Sequence, residues 1–291
     1  MSPQSPKPTW IRLLLIDGTP DGIRIIEKSN WTGVAVVAGR SNLISALSRE
    51  ELSRPGVYVL TGPGKSGSSR IYIGEADILR ERLKQHAMKK DFWTSFVAFT
   101  SSNEGLNKAH VKYLEASLIR LANSANQWEI ENNTTPTLLS LSEADRADAD
   151  WFLNEMLVIY PILGIDAFEA ASKDVASQSP DEEYILSQRG AKAKGIEVPD
   201  GFVVKQGSFA RIAEVNSIQA YLHDLRQQLI DRGVLKREGD YYVFTQDYRF
   251  ASPSTAAGVL VGGPVNGRTA WKTAEGNTLK KIQDARTEAS G

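Results

Sequence analysis

Five side chains between residues 55 and 136 could do chemistry together. The stretches "GVYVL" (residues 56–60) and "RIYIG" (residues 70–74) alternate. Val57 and Val59 share one face against Tyr58, and Ile71 and Ile73 share one against Tyr72. Paired as a hairpin, the strands bring both tyrosines out on one surface. After Gly74 the chain reads as a helix with Asp77 as its cap. At about 100° per residue from Ile78, Arg82 falls near 40° and His86 near 80°, beside Leu79 and Leu83. An unpaired guanidinium on an apolar face is costly, so Arg82 calls for an anion, either a protein carboxylate or a phosphate. Glu115, in "LNKAHVKYLEASLIRLA", has Val111, Leu118 and Ile119 one turn away and points toward protein. Two readings follow. Arg82 and Glu115 form an internal ion pair with no further role, or two tyrosines, an arginine and a histidine surround a metal-binding glutamate.

The elements around these residues fall into four segments. Residues 1–54 form a β-rich lead-in, with "SNLISALSREEL" a short helix capped by Ser41. Residues 55–136 are a compact unit. Residues 137–183 are an acidic helical connector that opens at Ser142 and ends in the polar linker "ASKDVASQSPDEE". Residues 184–291 are a basic, β-rich accessory domain. The chain carries no cysteine, which removes disulfides, thiolate zinc sites and cysteine nucleophiles, and its three histidines are scattered. No apolar run approaches the roughly 20 residues of a membrane span. "MSPQSPKPTW" lacks the layout of a signal peptide, and a soluble cytoplasmic protein with no membrane partner is the expectation. The net charge of −1 conceals a gradient: residues 142–183 hold eleven Asp/Glu against two Lys/Arg, and the other segments are mildly basic. That charge is compatible with nucleic acid without demanding it.

The order "GVY", "YIG", an arginine ten residues after the second tyrosine and a glutamate inside a later helix resembles the GIY-YIG nuclease superfamily. The resemblance covers residues 55–136. It implies an α+β fold, a small antiparallel sheet flanked by helices, followed here by a separate small α+β C-terminal domain. It also implies a metal-dependent DNA endonuclease with Tyr58, Tyr72, Arg82, His86 and Glu115 as catalytic residues. Glu115 would hold one Mg²⁺ or Mn²⁺ ion, Arg82 would meet the scissile phosphate, and Tyr72 would position a phosphate oxygen. Tyr58, or His86 acting through it, would orient or deprotonate the attacking water. A base at Tyr58 needs nearby positive charge to lower its pKa. Many members carry an asparagine after the glutamate helix, where Asn133, and second Asn132, qualify here. Lys112 and Lys108 are candidates for the DNA backbone. DNA is the implied partner, with RNA left open, and the acidic connector offers a surface to a protein partner. Val57 stands where the superfamily name has isoleucine, and Glu75 follows the glycine where some members carry lysine. The alternatives are a non-cleaving nucleic-acid-binding module and a nuclease subunit that cuts only within a restriction or repair complex.

"TGPGKSGSS" imitates a phosphate-binding P-loop but has Val59 where the first glycine belongs and runs into a strand. It reads as a loop joining two strands. In the C-terminal segment, "VNSIQAYLHDLRQQLIDRGVL" reads as an amphipathic helix closed by Gly233, and "KREGDYYVFTQDYRF" as a hairpin. "SPSTAA…NG…W" resembles the accessory modules that trail GIY-YIG domains and, less closely, RAMA-type modules, which implies DNA targeting. Ser252, Ser254, Asn266 and Trp271 serve equally as turn and core residues.

Overall fold

The computed structural model describes residues 8–64, 68–103, 105–169, 183–199 and 201–289. The chain is α+β and divides into two compact units, the first within residues 8–168 and the second taking in residues 169–291. The tip of the "TGPGKSGSS" loop and most of the "ASKDVASQSPDEE" linker lie outside the described residues.

The first unit runs β1 (Ile11–Leu15), β2 (Arg24–Lys28), β3 (Gly33–Gly39), α1 (Leu43–Ala46), β4 (Gly56–Pro63), β5 (Ser69–Ala76), α2 (Leu79–Lys89), β6 (Ser95–Ser101), α3 (Lys108–Ala125), β7 (Glu129–Ile130) and α4 (Glu143–Ile162). Among the described residues its strands form one sheet in the order β1-β2-β3-β6-β4-β5-β7. Every pairing is antiparallel except β5 with β7. Strands from the first 54 residues therefore share a sheet with those of the candidate nuclease segment.

Alternation on β4 and β5 builds both faces. Val57, Val59, Ile71 and Ile73 enter a core with Val111, Leu114 and Leu118 of α3 and with Phe152, Met156 and Ile159 of α4. Tyr58 and Leu60 enter a second core with Leu79 and Leu83 of α2, and Tyr72 packs against it. The sheet is thus covered on both sides. The acidic helix α4 starts as its sequence dictates, with the Ser142 hydroxyl accepting from the Asp145 amide at 3.1 Å. Its apolar side belongs to the first unit's core, and its acidic side meets α3 through His110–Asp145 and Tyr113–Asp150.

Two predicted caps are replaced. A 3-10 turn over Arg40–Asn42 precedes α1, whose N-cap is Asn42 with no side-chain bond, so Ser41 caps nothing. Helix α2 starts after Ile78, and Asp77 turns instead to Lys108 at 2.9 Å.

The second unit continues with β8 (Glu183–Gln188), β9 (Ala191–Val198), β10 (Gly201–Val204), β11 (Phe209–Arg211), α5 (Ala220–Asp231), β12 (Leu235–Glu238), β13 (Tyr241–Phe244), β14 (Tyr248–Phe250), α6 (Pro253–Val261), α7 (Gly267–Ala270) and α8 (Leu279–Ala289). Its strands form an antiparallel sheet, β12-β13-β11-β9-β10-β14, with β8 also on β9. One face packs against α5, α6 and Trp271 to make a separate core. The predicted hairpin turns at Gly239, which adopts φ +59°, and α5 gives way to Gly233 at φ +71°. Among the described residues, no helix is long and apolar enough to cross a membrane.

Candidate active site

The site begins with a strand register. Tyr58 lies directly opposite Gly74, and a Cβ at position 74 would overlap the Tyr58 ring and hydroxyl. The glycine lets the tyrosine lie flat across β5. Tyr58 does not emerge at the surface as the alternation suggests. It is fully buried beneath α2, while Tyr72, on the same face, is half-buried. The expected tyrosine pair is present, with ring centroids 6.3 Å apart, but helix α2 covers its inner member.

His86 and Arg82 reach Tyr58 from α2. The Tyr58 hydroxyl is 2.6 Å from His86 Nε2, and Arg82 Nε donates to the same hydroxyl at 3.3 Å. Burial first, then the charges of Arg82, Lys90 and Lys89, push the His86 pKa down to about 4. A neutral His86 accepts at Nε2, so Tyr58 donates to the histidine and accepts from the arginine. This tautomer leaves Nδ1 as the protonated nitrogen, buried and without a partner among the described residues. Burial, then the neighbouring Tyr72, hold the Tyr58 phenol well above the ordinary tyrosine value, against the pull of Arg82. The positive charge expected to activate Tyr58 is present, and desolvation outweighs it.

Arg82 is a correction. It is exposed, not buried; Gln85 Oε1 accepts from it at 3.3 Å, and Tyr72 also interacts with its guanidinium. The buried stripe of α2 is Leu79, Leu83 and His86, and Ile78 is 46% exposed, so a side chain at the 40° position sits on the border of the stripe. Arg82 therefore needs no internal anion. No Arg82–Glu115 ion pair within 4 Å occurs among the described residues, although Arg82 does pull the Glu115 carboxyl downward.

Glu115 is half-buried on α3, with Val111, Leu118 and Ile119 buried around it as the sequence pattern requires. Burial, then the charge of Glu75, raise its pKa to about 7, against Arg82, the Glu75 amide and Lys108. Glu75 pairs with Lys108 at 3.0 Å, and the same ammonium holds Asp77. Lys108 is thereby committed to protein carboxylates, whereas Lys112 is exposed. Asn132 and Asn133 separate clearly. The Asn132 amide accepts from the Ile73 N–H at 2.9 Å and donates to the Ile73 carbonyl at 2.8 Å, extending the edge of β5, and Asn133 is exposed. Sequence reasoning passed over Lys90, whose ammonium lies 4.4 Å from the Tyr72 ring centre and 3.6 Å from Glu131. The four-residue spacing of Arg82, His86 and Lys90 was the available signal.

In the second unit, the "SPSTAA…NG…W" residues hold the fold. Ser252 caps α6 by accepting from the Thr255 amide at 3.1 Å, and the Ser254 hydroxyl accepts from the Gly267 amide at 3.0 Å. Asn266 is the N-cap residue of α7, and the fully buried Trp271 donates from Nε1 to the Pro253 carbonyl at 3.0 Å. Residues 184–283 match the family model of a domain of unknown function, DUF4357. This DUF4357 segment coincides with the sheet, helices and core of the second unit. Residues 55–136 match no model of the GIY-YIG superfamily. Neither the curated proteins nor the solved structures yield a match to the chain.

Proposed function

We propose that residues 55–136 are a metal-dependent DNA endonuclease centre of GIY-YIG type, with Tyr58, Tyr72, Arg82, His86 and Glu115 as its working groups. The observation that carries the reading is the Arg82–Tyr58–His86 hydrogen-bonded chain, whose inner tyrosine is accommodated only because residue 74 is glycine. A purely structural tyrosine does not need a buried histidine acceptor on one side and an exposed guanidinium on the other.

The chain supplies a route for a proton. The Tyr58 hydroxyl is fully buried in the free protein, so a water admitted beside Arg82 with the substrate would give its proton to the Tyr58 oxygen while Tyr58 passes its own to Nε2 of neutral His86. His86 is a weak base in the free protein because burial and three cations disfavour its charge. A phosphate arriving at Arg82 offsets part of that positive field and strengthens the base when substrate is bound. The outward N–H groups of Arg82 suit the paired oxygens of a phosphate. Tyr72, half-buried under the Lys90 ammonium, can donate its hydroxyl to a second phosphate oxygen.

Glu115 fits a hard divalent ion. Its carboxyl lies beside Glu75 and is raised to about 7, a state that a bound cation relieves. Among the described residues no group of three or more His, Cys, Asp or Glu gathers around it, so Glu115 would hold a Mg²⁺ or Mn²⁺ completed by water. Such an ion supplies charge stabilisation at the leaving oxygen. The DUF4357 unit is assigned to targeting. The test is Mg²⁺- and Mn²⁺-dependent cleavage of plasmid, linear duplex and single-stranded DNA by the wild type and by Glu115→Ala. Cutting that vanishes in the variant supports the reading, and a folded wild type that cuts none of them overturns it.

A further inference from the structure

The outward face of the DUF4357 sheet carries an arrangement that its fold does not use. Phe209 on β11 is 43% exposed and Tyr241 on β13 is 42% exposed. Their ring centroids lie 5.9 Å apart in an edge-to-face pair at 70°. The register places cations around them. Phe209 stands opposite Lys192 of β9 on one side and Val243 of β13 on the other. Tyr241 stands opposite Arg211, and Lys236 stands opposite Val243. One carboxylate, Glu238, shares the face opposite Tyr241. Lys192, Arg211 and Lys236 have no ion-pair partner within 4 Å among the described residues. Other cations of the unit are committed, Lys194 to Glu183 and Lys205 to Asp247.

Two exposed aromatic rings on adjacent strands gain nothing for the core, which lies on the opposite face with Tyr184, Phe202 and Phe244. Exposed rings on a sheet face, bordered by unpaired Lys and Arg, match the needs of an unpaired nucleotide strand. Each base offers a π-face to an aromatic ring, and each phosphate offers a charge to a cation. A duplex keeps its bases stacked on each other and cannot give them to the platform without unpairing. We propose that the Phe209–Tyr241 face of the DUF4357 unit binds single-stranded nucleic acid, stacking bases on the two rings and meeting phosphates with Lys192, Arg211 and Lys236. This site is separate from the nuclease centre and does not depend on cleavage. It gives the targeting role a substrate class, strands or regions whose bases are unpaired.

The test is fluorescence anisotropy with full-length protein in EDTA, using labelled oligo-dT, oligo-rU and a hairpin duplex. The expected result is tighter binding of the single strands than of the duplex, with the two single strands separating a DNA from an RNA preference. Phe209→Ala and Tyr241→Ala should each weaken oligo-dT binding about tenfold without moving the thermal midpoint, because both side chains are exposed. Lys192→Gln should lower the salt dependence of log Kd by about 0.7 in slope, one phosphate's worth of counterions. Wild-type affinity in both aromatic variants overturns the proposal. So does preferential duplex binding, or a wild-type dimer that falls to monomer in the aromatic variants, which assigns the face to a second copy. Failure of the cleavage test leaves this measurement unaffected.

Discussion

Glu115 and His86 carry opposite perturbations, and both can be measured. The Glu115 carboxyl is held at about 7, so the folded chain keeps a proton that the unfolded chain has already released. Its stabilising effect is complete below the ordinary carboxylate range and is lost as pH rises through about 7. His86, held down at about 4, contributes stability above the ordinary histidine value and loses it as pH falls toward 4. Over about pH 5 to 7 the two oppose each other. Glu115→Gln should therefore gain stability relative to wild type as pH rises through this window in urea titrations. A flat difference would mean that Glu115 is not raised. The same proton competes with a metal ion. The acid limb of kcat/KM should lie near the Glu115 value and move to lower pH as Mg²⁺ increases, whereas a limb indifferent to Mg²⁺ would remove Glu115 as the ligand. Position 74 gives a test independent of catalysis. Gly74→Ala should cost about 1–3 kcal/mol by overpacking, and much less when Tyr58 is already alanine. Additive costs in the double-mutant cycle would show that the two do not press on one another. Residue types disclosed most of this constellation, because a histidine and a glutamate among aliphatics at helical spacing are visible in one dimension. The burial of Tyr58 and the exposure of Arg82 were not visible. Both depend on where the border of the α2 stripe falls, and an angle measured from an exposed Ile78 misplaces it.

Strands and helices decide which of two adjacent asparagines belongs to the fold. Asn132 reproduces both hydrogen bonds of a strand residue against Ile73, two residues beyond the last β5–β7 pair, Ile71 with Ile130. Asn132→Ala should destabilise the first unit by about 1–3 kcal/mol, since it leaves the N–H and carbonyl of the buried Ile73 without partners. Asn133→Ala should change stability by less than about 0.5 kcal/mol, and if it meets substrate it should weaken DNA binding instead. Equal stability losses in urea titrations would contradict the division. Local signals were enough for the β4–β5 hairpin, the Ser142 helix start and the hairpin of "KREGDYYVFTQDYRF", because each is settled by a few consecutive residues. The pairing of β3 with β6 and the packing of α4 onto the Val57 face join residues far apart in sequence. Alternation fixes which face a side chain takes but not which strand lies beside it.

For the whole chain, a net charge near zero says little about either unit, because the acidic α4 region offsets a basic C-terminal segment. The second unit has what independent folding requires. Its core residues Tyr184, Phe202, Leu229, Phe244 and Trp271 all lie within residues 183–291, as do its sheet and the helices α5 and α6 that pack on it. The fully buried Arg226 is satisfied inside the unit by Glu214 at 3.0 Å and by the carbonyls of Arg211, Ile212 and Val259. A domain of this size buries enough apolar surface to be stable without disulfides. Residues 183–291 expressed alone should therefore unfold in a single cooperative transition. Trp271 is the sole tryptophan in that fragment, and it is fully buried. Its fluorescence should start blue-shifted and move red in one step as urea rises, coincident with the loss of circular dichroism. Red-shifted emission in native buffer, or two non-coincident transitions, would mean that the DUF4357 segment needs the rest of the chain. A fragment that folds by this criterion can also carry the Phe209 and Tyr241 substitutions, so that strand binding is read in the absence of every nuclease residue.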